Sequence, residues 1–313
     1  MTRRLNWIIA LLLLIIGLPY YWLLIDNRPG SIASQPVTVG QLRELADALP
    51  GPHPSGVEME LVGWRKAPGT LFAAGAGLQN RFIGIMAYRL PVTGGKPIVI
   101  DSGLGLADVA GMRLDQFLPG NQRTVDRAMD EAGLILITHE HPDHIGGMIA
   151  WARNDADVMH KAFGKQRMTP PQSAFVSQKL GIVQRDQSAS LAAPPRAIAP
   201  GVVAIPAPSH TPGSQMFFVQ LADGREYLFT GDIATLAISW EALRARSRLI
   251  GDFVVPEDRP AVFSWLKTIR ALKQASPALN IIPGHDTSAV LELADKGQVR
   301  RDFNLVPIGA TTQ

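Results

Sequence analysis

The 313 residues allow one large domain or two small ones, and 46% apolar residues are ample for a packed core. The chain has no cysteine, which excludes disulfides and thiolate metal ligands. A formal net charge of +3 is small for this length, and no basic stripe with interleaved aromatics occurs, so nucleic acid is not an expected partner.

Residues Trp7 to Ile25 are apolar or aromatic apart from Gly17 and Pro19. At ~1.5 Å per residue the run reaches about 28 Å, close to a bilayer core. Arg3 and Arg4 precede it, and Tyr20, Tyr21 and Trp22 cluster near its far end, where an aromatic belt lies. Residues 1–28 therefore read as a transmembrane anchor with the rest of the chain outside the cytoplasm. The alternative is a signal segment cleaved near the small-x-small run Ser31-Ile32-Ala33, which would release a secreted protein. Residues 29–55 read as a linker with one helix, and 56–313 as one domain.

Within the linker, Thr38 to Leu49 has helical spacing, with Leu42, Leu45 and Leu49 on one face and Thr38 as its cap. Val57 to Val62, Phe82 to Leu90 and Ile98 to Ile100 read as strands, the last ending in Asp101-Ser102-Gly103. Gln122 to Ala132 reads as a helix, the strand Leu134 to Ile137 follows directly, and Ile145 to Arg153 begins another helix. Residues 156–200, with Pro170-Pro171 and Pro194-Pro195, read as an insertion near the site mouth; Lys161, Lys165, Arg167, Lys179 and Arg185 make part of this stretch locally basic. Val202 to Ile205 is a strand. Met216 to Leu221 and Arg225 to Thr230 flank Ala222-Asp223-Gly224, a hairpin turn signal. Helices fit Thr235 to Arg248 and Arg259 to Gln274, Leu279 to Ile282 is the last strand, and Ser288 to Gln298 closes the fold as a helix.

The chemistry concentrates after the strand at 134–137. Four potential metal ligands fall in six residues: His139, His141, Asp143 and His144. Three of the chain's seven histidines sit here. Neutral imidazole and carboxylate suit zinc and similar divalent ions. Adjacent side chains such as Asp143 and His144 diverge, so one ion cannot easily use all four, whereas two neighbouring ions could share them. Ligands at the carboxyl end of a strand lie where open α/β sheets place their sites.

The run His-x-His-x-Asp-His resembles the signature of the metallo-β-lactamase-fold hydrolases, and the resemblance covers roughly residues 57–290. That family implies further ligands in a set order, and the chain offers His210 in Ser209-His210-Thr211, Asp232 in Gly231-Asp232, and His285 in Gly284-His285-Asp286. The implied fold is a four-layer αββα sandwich, preceded here by the amino-terminal helix. The implied cofactor is two divalent metal ions, Zn2+ above all. The resemblance assigns His139, His141 and His210 to one ion and Asp143, His144 and His285 to the other, with Asp232 bridging. Each ion keeps an open position, as catalysis requires, and a bridging hydroxide is the implied nucleophile. Asp143 can pass on a proton as well as ligate. Asp101 matches a family aspartate that supports a ligand from behind.

Flavodiiron-type members carry glutamate where this chain has His141, and one major zinc β-lactamase branch uses a cysteine that this chain lacks. The acyl-homoserine lactonases share Gly284-His285-Asp286 but carry a tyrosine just beyond the bridging aspartate, where Thr235 and Leu236 stand here. Glyoxalase-II-like members share Thr138. The expected activity is hydrolysis of a small-molecule ester or lactone. The alternatives are a β-lactam or phosphodiester hydrolase on the same site, or a mononuclear iron dioxygenase of the same fold.

Overall fold

A computed structural model describes residues 2–153, 168–181 and 193–305. The expected basic stretch falls largely outside these residues, as do most of 156–200. The chain runs as helix α1 (Arg3–Ile25), helix α2 (Val39–Ala46), and strands β1 (Glu58–Pro68), β2 (Asn80–Leu90), β3 (Ile98–Ile100) and β4 (Gln116–Phe117). Then come α3 (Pro119–Glu131), β5 (Leu134–Leu136), α4 (Pro142–Ala152), α5 (Pro170–Leu180), β6 (Arg196–Ala199), β7 (Val202–Pro206), β8 (Gln215–Gln220) and β9 (Glu226–Phe229). Helix α6 (Arg259–Ala275), β10 (Asn280–Ile282), α7 (Thr287–Asp295) and β11 (Arg300–Arg301) complete it.

Two sheets lie face to face. One has the order β11-β1-β2-β3-β5, with β4 pairing β1; the other has the order β10-β9-β8-β7-β6. Both faces of each sheet are apolar, so alternate residues of one strand serve different layers. Phe217 and Val219 of β8 point between the sheets, among Tyr88, Ile100, Leu136 and Tyr227. Met216 and Phe218 point outward, against Val262, Phe263, Leu266 and Ile269 of α6 and Val39 and Leu42 of α2. On the other sheet, Val99, Ile135 and Ile137 pack outward against Val125 and Met129 of α3 and Ile145 and Met148 of α4. These three apolar layers are the expected four-layer αββα sandwich.

Local chemistry sets most boundaries. Thr38 caps α2, its Oγ1 accepting from the Gln41 amide at 3.2 Å. Pro119 and Pro142 start α3 and α4 a few residues before the apolar periodicity begins, because proline at the first turn gives up an N–H that has no helical partner there.

Two expectations need correction. The segment expected as a linker is part of the fold: Val39, Leu42 and Ala46 are buried, and Ser264 and Thr268 of α6 bond to residues 33 and 35. The helix expected from Thr235 to Arg248 stops at Glu241 after a short turn from Ala237. Leu243 takes a left-handed backbone, φ 51°, and the Asn27 side chain bonds the carbonyl of Leu243 and the amide of Ala245. The Asn27 side chain and the backbone of Leu71 and Ala74 thus replace helical bonds that the 242–248 stretch would have made.

Candidate metal-binding active site

The site lies where strands β3, β5, β7, β9 and β10 end. The turn after β5 presents His139 and His141, and Asp143 and His144 open α4. Close approach of α4 to the Asp101-Ser102-Gly103 loop needs Gly147: a Cβ there would sit 1.9 Å from the Ser102 carbonyl oxygen. Ser102 then donates to the His144 carbonyl at 2.8 Å and accepts from the Met148 amide at 2.9 Å. Glu140 ties this turn to the next loop, accepting from Thr211 Oγ1 at 2.7 Å and from the Gly213 amide at 3.0 Å.

His139, His210, His144, Asp232 and His285 are buried. The outer ring nitrogens of four histidines have oxygen partners. His144 Nδ1 lies 2.8 Å from Asp101 Oδ2, His210 Nδ1 lies 3.1 Å from Glu257 Oε2, and His285 Nδ1 lies 2.7 Å from the Gly84 carbonyl. His139 Nδ1 lies 3.2 Å from Thr138 Oγ1, whose hydroxyl also bonds Asp101. A carbonyl or carboxylate only accepts, so Nδ1 of His144, His210 and His285 carries the proton. A neutral ring then presents a lone pair at Nε2.

Those lone pairs converge. His139, His141, His210 and Asp232 form one group and Asp143, His144 and His285 another, each with donor atoms within 4.8 Å of one another. Asp232 faces both. Its Oδ2 lies 3.7 Å from His210 Nε2, 3.9 Å from His139 Nε2 and 3.1 Å from His285 Nε2, while its Oδ1 lies 3.5 Å from His144 Nε2 and 3.1 Å from His285 Nε2. Asp232 Oδ1 is buried and accepts no hydrogen bond. Apart from Arg246, which donates to Asp232 Oδ2, carboxylate oxygens and imidazole nitrogens face one another here, a donor set that a cation satisfies. On this chemistry the residues fit divalent metal.

Electrostatics agree in direction for three of the rings, His139, His141 and His210. Burial holds the His139 and His210 rings well below the ordinary imidazole range, and burial lowers His141 to about 4. Burial also works against charge on His144, but the carboxylates of Asp101 and Asp143 outweigh it and raise that ring. Burial alone would raise Asp232; the facing His285 and Arg246 reverse this and hold it well below the usual range. Burial pushes Glu257 up to about 7. Asp101 itself sits at φ 58°, a strained backbone for a non-glycine residue.

All eight residues singled out in the sequence meet here: His139, His141, Asp143, His144, His210, Asp232 and His285 in the cluster, and Asp101 behind His144. Asp286 has a structural task instead, capping α7 through the Ala289 amide and accepting from the Ala237 amide. Sequence reasoning missed Glu257, Arg246 and Glu140. Buried Arg246 donates from Nη2 to Asp232 Oδ2 and from Nε to Thr235 Oγ1 at 3.1 Å. No local pattern marks Arg246 or Glu257; only Glu140, inside the histidine run, carried a positional signal.

A cavity of about 350 Å³ opens over the cluster, with His141, Asp143, Asp232, Arg246 and His285 on its floor. Its walls are mostly apolar, including Leu71, Phe72, Ile83, Met112, Ile250 and Val254, and Arg65 also lines it.

Residues 86–285 match the metallo-beta-lactamase superfamily. The chain belongs to that superfamily and is a hydrolase of that fold. None of the curated proteins matches it. Among solved structures, it resembles an N-acyl homoserine lactone hydrolase with the product N-hexanoyl-L-homoserine bound at its catalytic metal centre, at 16% identity and a TM-score of 0.55, over 77% of this chain and 96% of that one. It also resembles a quorum-quenching N-acyl homoserine lactone lactonase, at 16% identity and a TM-score of 0.53, over 75% and 94%. A third likeness, at 16% identity and a TM-score of 0.53 over 77% and 96%, is to a point mutant of AiiA from B. thuringiensis with N-decanoyl-L-homoserine bound at the active site.

Proposed function

We propose that the chain hydrolyses a carboxylic ester or lactone with two divalent metal ions, Zn2+ above all. The observation that carries this is Asp232, whose carboxylate faces both histidine groups: Oδ2 lies 3.7 Å from His210 Nε2 and 3.1 Å from His285 Nε2. A second donor group of Asp143, His144 and His285 favours two ions over the single ion of an iron dioxygenase. His139, His141, His210 and Asp232 would hold one ion, and Asp143, His144, His285 and Asp232 the other. When bound, such ions supply an activated water at neutral pH and polarise the scissile carbonyl.

The chain's own residues do the rest. Asp101, Glu257 and the Gly84 carbonyl fix the rings of His144, His210 and His285 through their outer nitrogens, which keeps the inner lone pairs aimed. Arg246 holds Asp232 in place. The apolar walls exclude bulk water and accept the acyl part of the substrate. Asp143, on the cavity floor, takes the water proton and returns it to the departing alkoxide. In the balanced reaction the acyl C–O bond breaks, a new C–O bond forms to water oxygen, and the products are a carboxylate, an alcohol and a proton; a lactone gives both groups on one molecule. The mostly apolar wall suits an acyl substrate.

The test is a panel of γ-lactones, aryl esters, penicillins and bis-phosphodiesters, with metal content measured on the same preparation. Turnover of lactones or aryl esters, close to two ions per chain, and loss of both on chelation are expected. Turnover of phosphodiesters alone, or a single bound iron, would overturn the reading.

A further inference from the structure

Helix α1 does not stand apart from the cavity. It is 23 residues long, with a mean hydropathy of 2.5 in its most apolar window and none of that window buried. At ~1.5 Å per residue it spans about 34 Å, slightly more than a bilayer core. Its last turn is docked on two of the segments that line the cavity. Thr70 Oγ1 donates to the Leu24 carbonyl at 2.7 Å, and the next two residues, Leu71 and Phe72, line the cavity. The Gly75 amide donates to the same carbonyl at 2.9 Å. From the other side Arg248 pairs with Asp26 at 3.2 Å and lies 5.5 Å from the Trp22 ring centre, and Ile250 and Val254 of the same segment line the cavity.

Around this junction the surface is apolar where a soluble protein would be polar. Phe253 is 62% exposed and its ring meets Trp22 edge-on at 6.1 Å between centres. Val254 is 62% exposed and Leu78, in the loop bonded to the helix end, 61%. Phe253 touches Trp22, and Val254 and Leu78 stand in segments bonded to the end of the helix, so a bilayer that takes up the helix brings this junction to its surface.

The geometry points to a cavity that opens at the bilayer surface and draws an amphiphilic, long-chain ester or lactone out of the membrane. This rests on the hydrolase reading above and on α1 remaining attached. The occupant of the collar formed by Leu78, Phe253 and Val254 is lipid, because the collar continues the unburied face of a helix long enough to span.

The test uses the full chain in phosphatidylcholine vesicles. The chain has no cysteine, so single cysteines report single sites. An environment-sensitive fluorophore on Phe253→Cys is read against one on Asp223→Cys, in the turn at the opposite end of β9. Lipids carrying a headgroup-depth quencher should quench the first severalfold more than the second. Equal quenching overturns the membrane contact, and so does shielding of site 253 that appears only as protein concentration rises, which would mean a second copy. Turnover is read separately, with p-nitrophenyl palmitate dissolved in the vesicles and p-nitrophenyl butyrate in solution. Phe253→Asp and Leu78→Asp should each lower palmitate turnover about tenfold and leave butyrate turnover unchanged. Equal loss on both substrates, or none on either, overturns delivery from the membrane. Selective quenching without hydrolysis of either ester or of any γ-lactone would refute the hydrolase reading while the lipid contact stood.

Discussion

Asp232→Asn removes one negative charge and keeps nearly the same shape. The carboxylate side chain is 3% exposed and its partner Arg246 7%. The variant leaves that guanidinium buried without a counter-ion. Breaking a buried pair by altering one partner costs about 3–5 kcal/mol, and the amide oxygen can still accept from Arg246, which places the cost near 3. For a domain of this size about 3 kcal/mol lowers Tm by roughly 6–12 °C. The chemical effect is separate. Oδ1 faces the His144 and His285 group and Oδ2 faces both groups, so replacing an oxygen by an amide nitrogen deprives at least one group of an acceptor. Metal content should fall from about two ions to about one. Lost placement of the activated water should cost on the order of 4 kcal/mol in the barrier, or about a thousandfold in turnover. Calorimetry, elemental analysis and turnover on one preparation separate the two effects. Adding Arg246→Met to Asp232→Asn should recover part of the Tm and none of the turnover. Two bound ions with near-normal turnover in Asp232→Asn would refute the bridging role.

Three further outcomes are expected. Glu257→Gln weakens the bond that orients His210, so metal affinity or turnover should drop about 10–100-fold, as titration with a chromophoric chelator would show; an unchanged affinity removes Glu257 from the site. Gly284→Ala places a Cβ 2.2 Å from Asp232 Oδ1 and 2.9 Å from Gly231 backbone, so it should displace the carboxylate and lose metal, whereas normal metal content would show that the turn can yield. Metal-free protein should lose stability as pH falls from 6.5 towards 5. In that window the unfolded chain protonates His139, His141, His144 and His210, while the folded chain keeps the three lowered rings neutral and protonates only His144 and Glu257. Near pH 5 the excess of about two protons on the unfolded side gives a slope of about 2.7 kcal/mol per pH unit, and the slope shrinks towards zero at pH 6.5; urea unfolding reads it, and a flat profile contradicts it.

The histidine run was legible because one turn of chain carries four donors, and the later ligands because each follows a short apolar strand. The layers were legible because strands buried on both faces read as continuous apolar runs, as in Gln215–Gln220. What stayed hidden depends on contacts between distant segments. Nothing near Arg246 or Glu257 announces that a loop will fold back onto Asp232 and His210. The 235–248 stretch has helical composition, and only the arrival of Asn27, more than two hundred residues earlier, shows why the helix stops. The boundaries of α3 and α4 were read late because their prolines mark starts that apolar spacing does not.

The stitching of the amino-terminal segment bears on how the protein matures. Arg259 reaches the Asp26 carbonyl at 2.9 Å, Asn27 braces the backbone at 243–245, and Ser264 holds the Ala33 carbonyl at 2.7 Å. A peptidase cutting after Ala33 would carry off both Asp26 and Asn27. The loop that presents Arg246 to the metal cluster would lose its brace, and Arg248 would lose Asp26. Processing at that bond would therefore be an act on the active site as much as a release from the membrane. Mass measurement of the mature amino terminus, set beside turnover of a chain begun at residue 34, would show the two together. In this chain the amino-terminal segment is also scaffold.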